Sequence, residues 1–181
     1  MTNAGTCIFL NGLPGSGKST YARRFVDGRR GWLNLDVDLM RGLLGTASVD
    51  FGAAGAEVQP LALAVLREHI SLGRNVIFPQ LFFVPEEAAE FEAIVRDAGG
   101  RVIRSVLHED VDECWRRVEQ RGSSAPSGSL DRSILDVLTH AGGIDELRRA
   151  ERQLAAWQDL GDPPRIITGD TAFNEVAGWA A

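Results

Sequence analysis

The sequence predicts an α/β protein: a parallel sheet with helices on both faces. Three observations predict it. Short apolar, β-favouring runs alternate with stretches of helical periodicity, each long enough to cross back over a sheet. The run NVIFPQL at residues 75–81 is apolar almost throughout, as a parallel strand buried on both faces must be. The first run, TCIFL at residues 6–10, leads directly into a glycine-rich loop, GLPGSGKST at residues 12–20, that opens onto a helix.

That loop reads G-x-x-x-x-G-K-S, the pattern that cradles phosphate. Gly12, Gly15 and Gly17 let the backbone curl so that successive N–H groups, through Ser16 to Thr20, aim at phosphate oxygens. Lys18 brings a compact positive charge to the outer phosphates, and Ser19 offers a hydroxyl to a magnesium ion. The helix over residues 18–26, stopped by Asp27-Gly28, points its positive end at the anion. Nucleotide binding follows from this stretch.

The remaining elements come in order. Residues 32–38, WLNLDVD, read as a second strand ending in acids. A long connection follows, irregular and glycine-rich over residues 42–56 and then helical, with Val58, Leu61, Val65 and Leu72 on one face and Gly73 closing it. After the third strand, Pro85 with Glu86 and Glu87 opens a helix whose inner stripe is Ala88, Phe91, Val95 and Ala98. Gly99-Gly100 stops it, and residues 101–107 form the fourth strand. Asp110, with Glu113 three residues on, caps a helix that carries Arg116, Arg117 and Arg121. Residues 122–129 are a flexible Ser/Gly/Pro stretch, and helices over 133–139 and 145–160 are separated by Gly142-Gly143. Leu147, Leu154 and Trp157 give the second of these an apolar face. Pro163-Pro164 leads into a last strand at 165–168 and then Gly169-Asp170-Thr171.

A chain of 181 residues is expected to be one domain. Its net charge of −6 argues against a generic grip on nucleic acid. Cys7 and Cys114 give neither a disulfide framework nor metal spacing, and read as small buried residues in a reducing cytosol. His69, His108 and His140 lie on unrelated elements. The first residues, MTNAGT, lack a basic region and a long apolar stretch, so no signal peptide is expected, no membrane span is read, and the expected location is cytoplasmic.

Ligands of such sheets bind at the carboxyl ends of the strands. The phosphate loop, the acids after strand two, Gln80 after strand three and the arginine helix after strand four all fall there. In a strand, Asp36 and Asp38 alternate, so one of them faces the phosphates. Asp38 is followed three residues on by Arg41. Phosphoryl transfer to a hydroxyl needs a carboxylate that orients the hydroxyl and takes its proton, and Asp38 fits that need. Arg41 fits holding an anionic or polar group of the acceptor and Gln80 fits acceptor binding, while the competing reading makes Asp38 an ordinary cap on the following turn. Arg117 and Arg121 share a helical face, where like charges make sense with a polyanion between them. With the flexible stretch beside them they suggest a lid over residues 111–132, and the competing reading pairs Glu113 with Arg117 on a solvated face. Strand three ends in Pro79-Gln80, where many nucleotide hydrolases place an aspartate for magnesium. The metal then falls to Ser19 and to Asp36 or Asp38.

These residues resemble small P-loop kinases related to polynucleotide 5′-hydroxyl kinases, zeta-toxin-like kinases and chloramphenicol phosphotransferase. The likeness rests on residues 12–20, on Leu35-Asp36-Val37-Asp38 with Arg41, and on Arg117 and Arg121. It implies a three-layer P-loop fold with a five-stranded parallel sheet in the order 2-3-1-4-5. It also implies ATP with magnesium, an aspartate base at Asp38, and lid arginines on the transferring phosphate. Adenine would lie between the lid helix and the loop around Gly169 to Thr171. In most polynucleotide kinases of this type two aspartates are adjacent, whereas here Val37 separates them, and the chain lacks a basic channel. The expected activity is therefore an ATP-dependent kinase acting on a hydroxyl of a small molecule (an antibiotic, sugar or nucleoside). A polynucleotide 5′-hydroxyl kinase ranks behind it, as does a nucleotide-binding regulatory module without an acceptor.

Overall fold

In the computed structural model, which describes residues 5–48, 50–159, 162–169 and 171–180, strand β1 (Thr6–Asn11) is buried along its whole length. A strand apolar on both sides belongs at the centre of a covered sheet. β1 lies between β3 (Asn75–Pro79) and β4 (Arg101–Leu107), with β2 (Trp32–Asn34) and β5 (Arg165–Ile167) at the edges. All pairings are parallel, and the order β2-β3-β1-β4-β5 is the one the resemblance implied.

The period-two alternation of the strands divides the core. Cys7 and Phe9 of β1 face a layer formed by α3 (Phe51–Ser71) and α4 (Pro85–Asp97), while Ile8 and Leu10 face α1 (Lys18–Val26). Both cysteines are buried free thiols. On the first layer Glu92 is 2% exposed, and it is held by Arg104 at 2.7 and 2.9 Å and by Arg96 at 2.8 Å. Beyond β4 come α5 (Val111–Ser124), α6 (Leu130–Ala141), α7 (Ile144–Ala155) and, last, α8 (Phe173–Gly178). Among the described residues no helix is long and apolar enough to cross a membrane.

Several expectations are corrected. The second strand does not run to residue 38. Leu35 N still donates to Ile77 O at 3.0 Å, but Asp36 then caps α2 (Val37–Arg41). The irregular connection is shorter than expected, because Asp50 caps α3 at Phe51 by accepting from Ala53 N at 2.9 Å. The buried face of α3 is Ala54, Val58, Ala62, Leu66 and Ile70, while Leu61, Val65 and Leu72 are exposed. Alanines bring the helix axis close to the sheet, so small residues take the inner face although larger apolar ones were available.

Residues 122–129 are more ordered than their composition suggests. α5 continues to Ser124, and Gly122 packs against Leu135, where a Cβ would come within 2.5 Å. Ser129 then caps α6, which starts at Leu130 rather than at residue 133. α7 ends at Ala155 in a 3-10 turn, Ala156–Asp159, and β3 and β5 stop at Pro79 and Ile167. Residue 160, Asp170 and residues 1–4 lie outside the described residues.

Candidate active site

The turn from β1 into α1 depends on glycine. Gly15 has φ +86°, and a Cβ there would collide with the carbonyl of Cys114, so a side chain would push the loop off α5. Gly17, at φ +98°, starts α1 in the left-handed region with open space beside it. Asn11 fixes the entry to the loop. Its Nδ2 donates to Phe82 O at 2.9 Å, and its Oδ1 accepts from Phe82 N at 3.1 Å and Gly12 N at 2.8 Å. The segment after β3, which carries Gln80, is thereby tied to the start of the loop.

Lys18 Nζ donates to the carbonyls of Gly12 at 2.7 Å and Leu13 at 2.9 Å, spanning the loop. Burial lowers its pKa to about 8, against the opposing pull of Asp38 and Asp36. Ser16 is buried and its Oγ has no protein partner. A glycine-built cradle with an orphaned hydroxyl and a cation folded across it fits a phosphate chain.

Asp36 and Asp38 do not alternate in a strand. Asp36 Oδ1 accepts from Asp38 N at 3.1 Å and Leu39 N at 3.3 Å, and Asp38 stands in the first turn of α2. Contrary to the expectation that only one of them faces the site, both line one cavity of about 270 Å³ with Lys18, Ser19, Arg41 and Gln80. The cap on this turn is Asp36, not Asp38. Asp36 is 3% exposed and its Oδ2 has no protein partner, a donor that suits magnesium beside the Ser19 hydroxyl. Burial holds the Asp38 carboxyl above its usual range, with Arg41 pulling the other way from 3.5 Å. The Arg41 guanidinium sits 4.0 Å from the centre of the Phe51 ring.

A larger cavity of about 730 Å³ lies on the other side of the loop, lined by Gly15, Ser16, Thr20, Arg117, Gly169 and Thr171 among others. Thr171 Oγ1 accepts from Thr168 N at 3.0 Å, closing the turn after β5. Gly12 lines neither cavity; its part in the cradle is the carbonyl that holds Lys18. Gly15, Gly17, Thr20 and Arg121 line both cavities, so the two meet at the phosphate loop. Arg121 also pairs with Asp131 of α6 at 3.7 Å. Arg117 is held by Glu113 at 2.7 Å and Glu109 at 2.8 Å, and its Nη1 donates to Gly15 O at 3.3 Å. Hydrogen bonds from Arg116 and Arg117 draw the Glu113 carboxyl down to about 2.

The sequence reasoning missed several residues at this place. Arg24, Tyr21 and Phe173 line the large cavity, with Arg24 5.6 Å from the Phe173 ring centre and Tyr21 edge-on to Phe173 at 4.8 Å. No local pattern joins α1 to α8. Glu109 was legible only as the residue before a cap, and Phe51 lay in a stretch read as irregular.

Residues 7–139 match the family model described as the AAA domain. The chain belongs to the AAA domain family. Among solved structures, this AAA domain chain is similar to a putative kinase from Chloroflexus aurantiacus J-10-fl, at 17% identity over 99% of this chain and 97% of that one, TM-score 0.68. It is similar to the Mycobacterium tuberculosis APS kinase solved with AMPPNP and APS, at 24% identity over 97% and 95%, TM-score 0.61. It also resembles a chain of the Pnkp1/Rnl/Hen1 RNA repair complex, at 18% identity over 84% of this chain, TM-score 0.63, but spans only 47% of that chain. No curated protein matches the sequence. These likenesses establish a P-loop kinase-like fold for the AAA domain chain.

Proposed function

We propose that the protein is an ATP-dependent kinase that transfers the terminal phosphate of ATP to a hydroxyl of a small molecule. The observation that carries this reading is the meeting of two cavities at one phosphate loop, with Asp38 in the smaller one. A nucleotide-binding switch needs the larger cavity alone.

In this reading ATP lies in the larger cavity with its base near Gly169 and Thr171. The backbone N–H groups from Gly15 to Thr20 and the Lys18 ammonium hold its phosphates. Ser19 and Asp36 would hold magnesium, which would supply charge neutralisation on the outer phosphates. Asp38 orients the acceptor hydroxyl, with Arg41 and Gln80 placing the acceptor. The acceptor oxygen forms its bond to the terminal phosphorus as the bond to the bridging oxygen breaks, ADP leaves with that electron pair, and the hydroxyl proton passes to Asp38. Arg117 and Arg121, on a lid formed by the hairpin of α5 and α6 over residues 111–132, meet the charge of the transferring group.

We read the chain as one kinase domain working in the reducing cytoplasm, consistent with two buried free thiols. The test is a screen of hydroxyl acceptors with γ-labelled ATP. Label transfer that depends on Lys18 and Asp38 is the expected result, and nucleotide binding without transfer to any acceptor would return the protein to the switch reading.

A further inference from the structure

On the acceptor side of the cleft, the side chains define a chamber with almost no available charge. It has a volume of about 350 Å³ and lies behind Asp38 and Arg41, walled by Leu44, Ala47, Phe51 and Leu130. That is the lower end of the range of roughly 300–1,000 Å³ typical of small-molecule sites. Arg41 is the only cation lining the chamber among the described residues. Its guanidinium is covered by the Phe51 ring at 4.0 Å and paired with Asp38 at 3.5 Å, leaving the side chain 14% exposed. On its other side Gly55 approaches so closely that a Cβ there would lie 3.1 Å from Nη2. An anionic substituent would have to displace the ring or the carboxylate to reach this charge.

The neighbouring charges point the same way. Lys18 and Arg121 stand where the phosphate loop needs them, and the adjoining groove carries Glu86, Glu87 and Glu90. A polyanion laid there would meet repulsion without counter-charge. Nor is the chamber built for a cation. Asp38 is its only carboxylate among the described residues and is already paired. Glu87 accepts from Phe83 N at 2.6 Å, and Glu90 from Gln59 Nε2 at 2.9 Å. What the chamber does offer is the apolar surface of Leu44, Ala47, Phe51 and Leu130, with Ser129 and Ser133 as uncharged polar groups beside it.

We infer that the acceptor is an uncharged hydroxyl compound with an apolar body, its hydroxyl at Asp38 and its body between Phe51 and the first turn of α6. This rests on the kinase reading above. The test gives the wild-type protein γ-labelled ATP and three acceptor sets: uncharged aryl and alicyclic alcohols, the matching alcohols carrying a carboxylate or phosphate, and 5′-hydroxyl oligonucleotides. A kcat/KM at least tenfold higher for the first set is the expected result. Preference for either anionic set, or equal use of all three, overturns the inference and leaves the kinase reading standing. Intact ATP binding with no transfer to any set overturns the kinase reading itself, and this inference with it. As a second measure, Ala47→Arg should lower kcat/KM for the uncharged set at least tenfold and narrow its lead over the anionic set. A folded variant with the wild-type preference would count against the chamber as the acceptor's seat.

Discussion

Arg117 donates from Nη1 to the carbonyl of Gly15 at 3.3 Å, so the helix after β4 is tied to the phosphate loop by a charged contact. The same guanidinium is held by Glu109 and Glu113, which keeps it at the edge of the larger cavity instead of free in solvent. Arg121, one turn on, lines both cavities. If these charges meet the phosphate best in the transition state, Arg117→Ala or Arg121→Ala should lower kcat by about 10²-fold or more, with a smaller rise in the KM for ATP. Steady-state kinetics on the two variants checks this. Unchanged turnover in both would leave the contacts with Glu109, Glu113 and the Gly15 carbonyl as the whole role of Arg117.

Gly15 makes the packing side of that contact testable. With φ +86° and no room for a Cβ against Cys114, Gly15→Ala must either strain the loop or lift it from α5. A loss of a few kcal/mol in stability is expected by urea denaturation, with nucleotide binding weakened in parallel. Gly17→Ala shares the strained φ but meets nothing within 4 Å, so it should cost less. Equal losses at the two positions would mean that the contact with α5 contributes nothing.

The contrast between these positions and Asp38 shows what was legible in the sequence. The phosphate loop could be read because its chemistry is local: the glycines, Lys18 and Ser19 act within one turn, and spacing alone defines them. The sheet was legible as alternation, since residues 6–10 and 75–81 are apolar on both faces. Asp36 and Asp38 were misplaced because a strand end and an N-cap share the same residue types, and what ends the strand is the Asp36 carboxylate accepting from Asp38 N and Leu39 N just past the last sheet bond at Leu35 N. The face of α3 was misread because size suggests Leu61 and Val65, whereas close packing on the sheet selects Ala54 and Ala62. The pairings of Phe51 with Arg41 and of Tyr21 with Phe173 depend on chain crossings that no local spacing encodes.

Lys18 carries a pH prediction. Burial lowers its pKa to about 8 in the free protein, while bound phosphates favour the charged form. Above that pH the free protein must take up a proton to bind, so affinity falls as pH rises. ATP affinity should be flat below the Lys18 pKa and weaken by up to about tenfold per pH unit above it. Calorimetry in buffers of different ionisation enthalpy would detect the proton uptake directly. Lys18→Arg, charged throughout, should lose this pH dependence, and Lys18→Ala should abolish transfer. Wild-type affinity that stays constant across this range would refute the linkage.

Glu92 is expected to matter for stability only through its partners. Arg104→Met removes a two-point contact and leaves the buried carboxylate with Arg96 alone, which should cost about 3 kcal/mol. Combining it with Glu92→Met removes the charge that needed compensation and should recover most of the loss. With wild type and Glu92→Met alone, the unfolding curves complete a double-mutant cycle. A double variant as unstable as the sum of the singles would mean the pair is not coupled.

Asp38 stands as the acceptor's base in the kinase reading. Asp38→Asn keeps the shape and a hydrogen-bonding carbonyl, but an amide takes no proton at working pH. Transfer to the acceptor should fall by roughly 10²–10⁴-fold, while ATP affinity measured without acceptor changes little. The pH profile adds a second readout. Burial raises the Asp38 pKa above the usual carboxylate range, and a base works only when deprotonated. The wild-type rate should therefore rise with pH through an inflection above that range, and the variant's residual rate should lack it. Magnesium separates the competing role. Asp36 offers a partnerless buried oxygen to the metal, so Asp38→Asn should not be rescued by excess magnesium, whereas Asp36→Asn should be in part. Rescue of Asp38→Asn would move Asp38 to the metal, and normal acceptor phosphorylation by that variant would remove it from the chemistry.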